Sequence, residues 1–231
     1  MSEDLIRSQT DYYRARAGEY DQWFNREGRY DRGPGFRARW FAEIEEVRRA
    51  LMEHGPRGRV VEFAAGTGLW TEPLLRQSDH VTALDISPEA LNLNRNRVGT
   101  ERATHIATDL FSWAPDRRYD GAFFGFWLSH VPPERFDDFW DLVSRSVHDE
   151  GRIFFVDSRY EPTSTASDHR LEGSDSVAVT RRLNDGREYR IVKVFYRPDQ
   201  LRSRLAGLGW TCTIRETEGF FLYGWGSPAP A

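Results

Sequence analysis

The stretch VVEFAAGTGLW, residues 60–70, decides the fold. A mostly apolar run leads into Ala64-Ala65-Gly66-Thr67-Gly68, and a helical segment, LWTEPLLRQ (69–77), begins at once. A strand that turns through small residues straight into a helix opens a βα unit. Small side chains let the backbone turn tightly and let a ligand approach main-chain atoms. Alone the turn is weak evidence, because a βα turn needs small residues with or without a ligand.

Downstream the alternation repeats. HVTALD (80–85) reads as a strand, and SPEALNLNRNRV (87–98) as a helix with Ser87 as N-cap and Pro88 in its first position. ATHIATD (103–109) and YDGAFFGFW (119–127) read as strands. PERFDDFWDLVSRSVH (133–148) reads as a helix with Phe136, Phe139, Val143 and Val147 on one face, and GRIFFVDS (151–158) as a strand. This order predicts an α/β fold, a mostly parallel sheet with helices on both faces.

Upstream, Leu5 to Phe24 reads as one or two short helices. Residues 36–52 read as a firm helix with Trp40, Ile44, Val47 and Leu51 on one face, Pro34 near its start and Gly55-Pro56 at its end. After residue 158 the pattern breaks. RYEPTSTASDHRLEGSD (159–175) reads as a polar, mobile loop; VAVTRRL and EYRIVKVFY flank the turn NDGR and predict a hairpin near 177–196. A short helix (197–209) and two adjacent strands, TCTIRETE and FFLYGWG, predict an antiparallel pair at the sheet edge. The closing SPAPA reads as a frayed tail.

A length of 231 residues fits one domain, and 39% hydrophobic with 29% charged residues reads as globular. The net charge of −4 argues mildly against a nucleic-acid binder held by phosphates. No apolar run approaches the roughly 18 residues of a spanning helix, and MSEDLIRSQTDYYRARAGEYD has no apolar signal core. The single cysteine, Cys212, forms no internal disulfide and reads as a packed thiol. The expectation is a cytoplasmic protein with neither nucleic acid nor membrane as partner.

The ligand is narrowed by what surrounds the turn. A dinucleotide site wants G-x-G-x-x-G; counted from Gly66 the third glycine position is Thr71, and counted from Ala64 it is Leu69. Glu62, at the end of the strand, would repel a pyrophosphate and suit a cationic ligand. Asp85 ends the second strand 17 residues (85 − 68) after Gly68, where a carboxylate can accept from a ribose diol. Asp109 ends the third strand, placed either to accept from an adenine amine with Leu110 over the ring, or as a solvent-exposed loop acid. The fourth strand ends in Phe126-Trp127 and then Ser129-His130. His130 is a candidate general base, or else a histidine bonded to backbone or cofactor. Four successive strand ends thus carry candidate groups, in order, where an open sheet binds ligands.

These segments, E-x-A-x-G-T-G, LDIS, TDL and FWLSHV, together resemble class I S-adenosylmethionine-dependent methyltransferases over about residues 55–160. The nearest likeness is to small single-domain enzymes of the ubiquinone and menaquinone type, with Ala64 where the family has its first glycine. The resemblance implies a Rossmann-like fold with a seven-stranded sheet, S-adenosylmethionine as cofactor and S-adenosylhomocysteine as product. It implies cofactor contacts at Tyr13, Tyr20, Glu62, Ala64, Gly66, Thr67, Gly68, Asp85, Ile86, Asp109, Leu110, Phe126 and Trp127, with no metal. It further implies in-line methyl transfer in a dry site, with Tyr12, Tyr13, Tyr20 and Trp23 as an aromatic lid or as one face of a packed helix.

By the same reading, residues 1–54 form a helical cap, 55–158 the cofactor core, 159–196 a specificity insertion and 197–226 the last helix and strand pair. The hairpin either roofs the pocket or joins a second subunit in a homodimer. Arg181, Arg182, Arg187 and Arg190 either meet an anionic substrate or form a solvated face. The expected reaction methylates oxygen or nitrogen of a small molecule. Its rivals are a nicotinamide or flavin oxidoreductase, a non-catalytic cofactor-binding module and an enzyme acting on macromolecules.

Overall fold

A computed structural model describes residues 3–169, 173 and 176–230. The chain opens with α1 (Glu3–Arg16), α2 (Tyr20–Asn25) and α3 (Pro34–His54). The βα series follows: β1 (Gly58–Phe63), α4 (Thr71–Leu75), β2 (Ser78–Asp85), α5 (Pro88–Val98), β3 (Ala103–Ala107), β4 (Tyr119–Gly125), α6 (Phe136–Ser146) and β5 (Val147–Ser158). The hairpin β6 (Ala178–Arg182) and β7 (Glu188–Val192), the helix α7 (Pro198–Gly207) and the strands β8 (Trp210–Glu216) and β9 (Phe221–Pro228) complete it.

Seven strands form one sheet in the order β3-β2-β1-β4-β5-β9-β8. β1 to β5 are parallel, and β9 inserts antiparallel between β5 and β8. The middle stretches of the central strands, Val60-Val61, Ala122 to Phe124 and Ile153 to Val156, are apolar because both faces are covered. On one face α6 and α7 bring Phe136, Phe139, Trp140, Leu201 and Leu205 onto Val61, Phe124 and Phe155. On the other, Trp40, Ile44, Val47 and Leu51 of α3 cover Val60, Phe123 and Phe154. The strand order reverses between β1 and β4, so a crevice opens beyond their carboxyl ends.

The hairpin stands apart as a two-stranded sheet and packs on α1: Tyr12 joins Val179, Leu183 and Ile191 in a small core of its own. Polar ties hold it there. The Val192 amide donates to Gln9 Oε1 (2.9 Å), the Arg190 amide to Ser8 Oγ (3.0 Å), and Gln9 Nε2 donates to the carbonyl of His130 (3.0 Å). The hairpin is therefore held against α1.

Three expectations of local structure are corrected. The helix after the glycine turn spans only Thr71–Leu75, because Gly68 to Trp70 are used in closing the turn, where the Glu72 amide donates to the Gly68 carbonyl (3.1 Å). β5 starts at Val147 rather than 151, since the pairs Tyr119–Val147 and Gly121–Arg152 leave three extra residues in β5 (152 − 147 against 121 − 119). The tail does not fray at Ser227 and Pro228, which pair with Thr211 and Trp210 of β8. Residues 170–172, 174 and 175 of the expected polar loop lie outside the described residues; before them, Pro162–Ser164 form a short 3-10 turn. Cys212 is buried in β8, its thiol pushed up to about 12 by burial. Among the described residues no helix is long and apolar enough to cross a membrane.

Candidate active site

The turn after β1 is built on left-handed backbone. Ala64 has φ 53°, Gly66 φ 54° and Gly68 φ 89°. The two glycines answer different needs. A Cβ on Gly66 would meet nothing within 4 Å, so that position leaves open space beside the main chain. A Cβ on Gly68 would lie 2.9 Å from the Asn94 side chain of α5, so Gly68 is demanded by packing. Asp85 fastens the turn from the tip of β2. Its Oδ2 accepts from the Gly66 amide and its Oδ1 from the Ser87 amide, both at 2.8 Å. Burial raises the Asp85 carboxyl, and these backbone amides oppose the rise. Thr67 Oγ1 donates to Asp21 Oδ1 (2.6 Å), tying α2 to the turn, and Arg97 pairs with the same carboxylate.

Beyond the turn lies a cleft of about 1010 Å³, part of it open to solvent. Its floor and walls come from the four strand ends: Ala64, Gly66 and Thr67; Asp85 and Ile86; Asp109 and Leu110; Phe126, Trp127 and His130. α1 and the segment after it close the top with Ile6, Gln9, Tyr13 and Tyr20. Twelve residues expected from the sequence thus face one space.

Glu62 and Gly68 do not line it. Glu62 is buried behind the turn, where Thr71 Oγ1 donates to it (2.6 Å). Burial outweighs that bond and pushes its carboxyl up to about 8. A group protonated at neutral pH repels no pyrophosphate, so the electrostatic argument drawn from Glu62 in the sequence does not hold.

A second cavity, of about 610 Å³ with its opening to solvent included, lies under the hairpin. Tyr12, Arg16, Trp23 and Tyr30 enter it from the N-terminal segment, and Arg181, Lys193 and His169 from the insertion. Tyr13, Tyr20, Phe126 and His130 line both cavities and form the wall between them. Trp23 stacks edge-on against Phe126, their centroids 4.8 Å apart, and its Nε1 donates to the Ser164 carbonyl (3.1 Å).

His130 is 7% exposed, and its Nδ1 lies 2.7 Å from the Val192 carbonyl. A carbonyl only accepts, so Nδ1 carries the proton and Nε2 keeps the lone pair. Burial, and then the nearby Lys193 charge, hold His130 well below the usual histidine range, so the ring is neutral. Lys193 is itself buried; its Nζ donates to Ser129 Oγ (2.8 Å) and lies 3.4 Å from Asp157 Oδ1. Burial lowers Lys193, with Asp157 pulling the other way.

The sequence reading passes over Arg16, Asp157 and Lys193. A signal existed for the last: it is the only lysine among 32 basic side chains, set in the apolar run IVKVF (191–195). Of the four hairpin arginines, Arg181 turns inward, while Arg182, Arg187 and Arg190 are exposed.

A family model described as a methyltransferase domain matches residues 60–151. A solved structure described as a DhpI–SAM–HEP complex is 39% identical with a TM-score of 0.80, the match covering 99% of this chain and 100% of that one. A DhpI–SAH complex is 40% identical with a TM-score of 0.77, covering 100% of both. The 1,6-didemethyltoxoflavin-N1-methyltransferase of Burkholderia thailandensis, at 18% identity, a TM-score of 0.65 and coverage of 100% of this chain and 92% of that one, shares the fold. No curated protein matches the chain. None of these three structures carries the finer likeness to ubiquinone- and menaquinone-type enzymes. The methyltransferase model covers β1 to the start of β5, the segment that builds the first cavity, and the likeness to a SAM-bound structure extends over the whole chain; the protein belongs to the class I S-adenosylmethionine-dependent methyltransferases.

Proposed function

We propose that the two cavities are the cofactor and acceptor chambers of one site, which methylates an oxygen or nitrogen of a small molecule. The observation that carries this reading is the shared wall: Tyr13, Tyr20, Phe126 and His130 touch both spaces. In the family S-adenosylmethionine supplies a methyl group on a sulfonium. The larger chamber fits that cofactor on its own terms, with open backbone at Gly66, a buried carboxylate at Asp85 and an aromatic side next to the second chamber.

Asp85 receives the ribose hydroxyls, Asp109 and Leu110 the adenine, and the main chain of Ala64 to Thr67 the amino-acid end. Tyr13, Tyr20, Phe126 and Trp127 present ring faces and edges to the sulfonium and exclude water, which favours a step that consumes a cation. His130 Nε2, neutral and at the wall, takes the proton that the acceptor atom releases. Glu62 and Gly68 shape the turn without touching the ligand. In this reading residues 1–54 are the cap, 55–158 the cofactor core and 159–196 the acceptor side, with 197–226 completing the sheet. The 39%-identical relative was solved as a complex with both SAM and HEP, which agrees with room for a second ligand.

Calorimetric titration with S-adenosylhomocysteine and, separately, NADH tests the cofactor chamber. Micromolar binding of the first alone is expected. Loss of that binding in Phe126→Asp supports the shared wall, and full retention overturns it.

A further inference from the structure

Among the described residues the polar lining of the second cavity is cationic or neutral, with no carboxylate. Other inward arginines are answered: Arg29 pairs with Asp168 at 3.2 Å, Arg159 with Glu216 at 3.2 Å, and buried Arg26 donates to the Ser164 carbonyl at 2.8 Å. Arg16 and Arg181 differ from these. Each is 9% exposed, and neither has a hydrogen bond or ion pair among the described residues. Nη1 of Arg181 is fully buried with no hydrogen-bond partner among the described residues. Arg16 has ring contacts only, its guanidinium 4.9 Å from the Tyr20 centroid and 5.4 Å from that of Tyr12.

The third cation does not add to the imbalance. Lys193 is matched by Asp157, also buried, so that pair is neutral as a unit. Two guanidinium charges are left facing a cavity in which no described group answers them. Buried charge is retained only when something pairs with it. The surrounding hydroxyls can bind an anion as well. Tyr12, Tyr13, Tyr20 and Tyr30 line the space, and none of their hydroxyls has a described hydrogen-bond partner. Burial keeps those of Tyr12, Tyr13 and Tyr20 protonated, and therefore donors.

Resting on the two-chamber reading, we propose that the acceptor chamber recognises its substrate by a doubly charged oxyanion held between Arg16 and Arg181. Guanidinium groups bind planar or tetrahedral oxyanions through paired N–H donors, and two of them match a charge of two. The anion also acts on the wall: it offsets the positive charge of Arg181 and Arg16, which adds to burial in depressing His130, and so makes Nε2 a better base once the acceptor is in place.

Inorganic phosphate at a pH where it is dianionic, and acetate as a single charge, are titrated into the full chain with and without S-adenosylhomocysteine. Phosphate is expected to bind at least tenfold more tightly than acetate. Arg181→Gln and, separately, Arg16→Gln are each expected to weaken phosphate at least tenfold while S-adenosylhomocysteine binds as in the parent; Arg182→Gln, on the exposed side of the same strand, leaves phosphate binding unchanged. Retained S-adenosylhomocysteine binding shows that a variant is folded. Cofactor-product binding without preference for phosphate overturns the anion site and spares the two-chamber reading. Phosphate binding with no binding of S-adenosylhomocysteine does the reverse.

Discussion

Nδ1 of His130 lies 2.7 Å from the carbonyl oxygen of Val192, a contact between the end of β4 and the end of the hairpin that leaves Nε2 as the ring's only lone pair. The insertion thus sets the tautomer of a residue that belongs to the cofactor core.

His130→Ala is expected to lower kcat by about 100-fold or more, the usual worth of a positioned base, with S-adenosylhomocysteine affinity within threefold of the parent. Single-turnover rates and calorimetry separate the two. Equal losses in both would make His130 a cofactor contact.

Asp85→Ala is expected to weaken S-adenosylhomocysteine by roughly 10- to 100-fold, the range for hydrogen bonds to a charged group. The variant also frees the amides of Gly66 and Ser87 that the carboxylate holds at 2.8 Å. Calorimetric affinity close to the parent's would remove Asp85 from the cofactor site.

Ala64→Gly is expected to stabilise the fold by about 1 kcal/mol. A left-handed alanine is strained by roughly 1–2 kcal/mol, and glycine gives back part of that through its freer unfolded chain. The φ of 53° at Ala64 is the observation behind this. A denaturant midpoint equal to or below the parent's would contradict it.

Glu62 gives a pH dependence with a definite sign. Its carboxyl is raised from an ordinary 4.5 to about 8 in the folded protein, chiefly by burial. The folded state therefore holds a proton that the unfolded state releases. That contribution is complete below pH 4.5 and lost as pH rises through about 8. Glu62→Gln keeps an acceptor for Thr71 but does not ionise, so it should lose less stability than the parent across that window. Urea melts at both ends of the window check this; parallel curves would mean that Glu62 is already ionised in the fold.

The cofactor chamber was legible in the sequence because its parts recur with the βα repeat: each strand ends on a candidate group, and strand ends meet at one edge. Spacing did not reveal which side of the turn a residue serves. Glu62 and Gly68 belong to the same motif as Gly66, yet one turns to Thr71 and the other abuts Asn94. The acceptor chamber was hidden for a different reason. Tyr12 meets Ile191, and Arg16 shares a cavity with Arg181, across most of the chain's length. Adjacent arginines at 181 and 182 look alike in sequence, and the alternation of β6 alone sends one inward and the other to solvent.

The solitary lysine has a practical consequence. An amine-directed label has a single side chain to find in this protein, and that side chain, Lys193, sits in the wall of the second chamber. Burial lowers its proton affinity, which favours the reactive free amine. The rate of acylation at one residue, followed by mass spectrometry, becomes a built-in gauge of whether that chamber is open or filled.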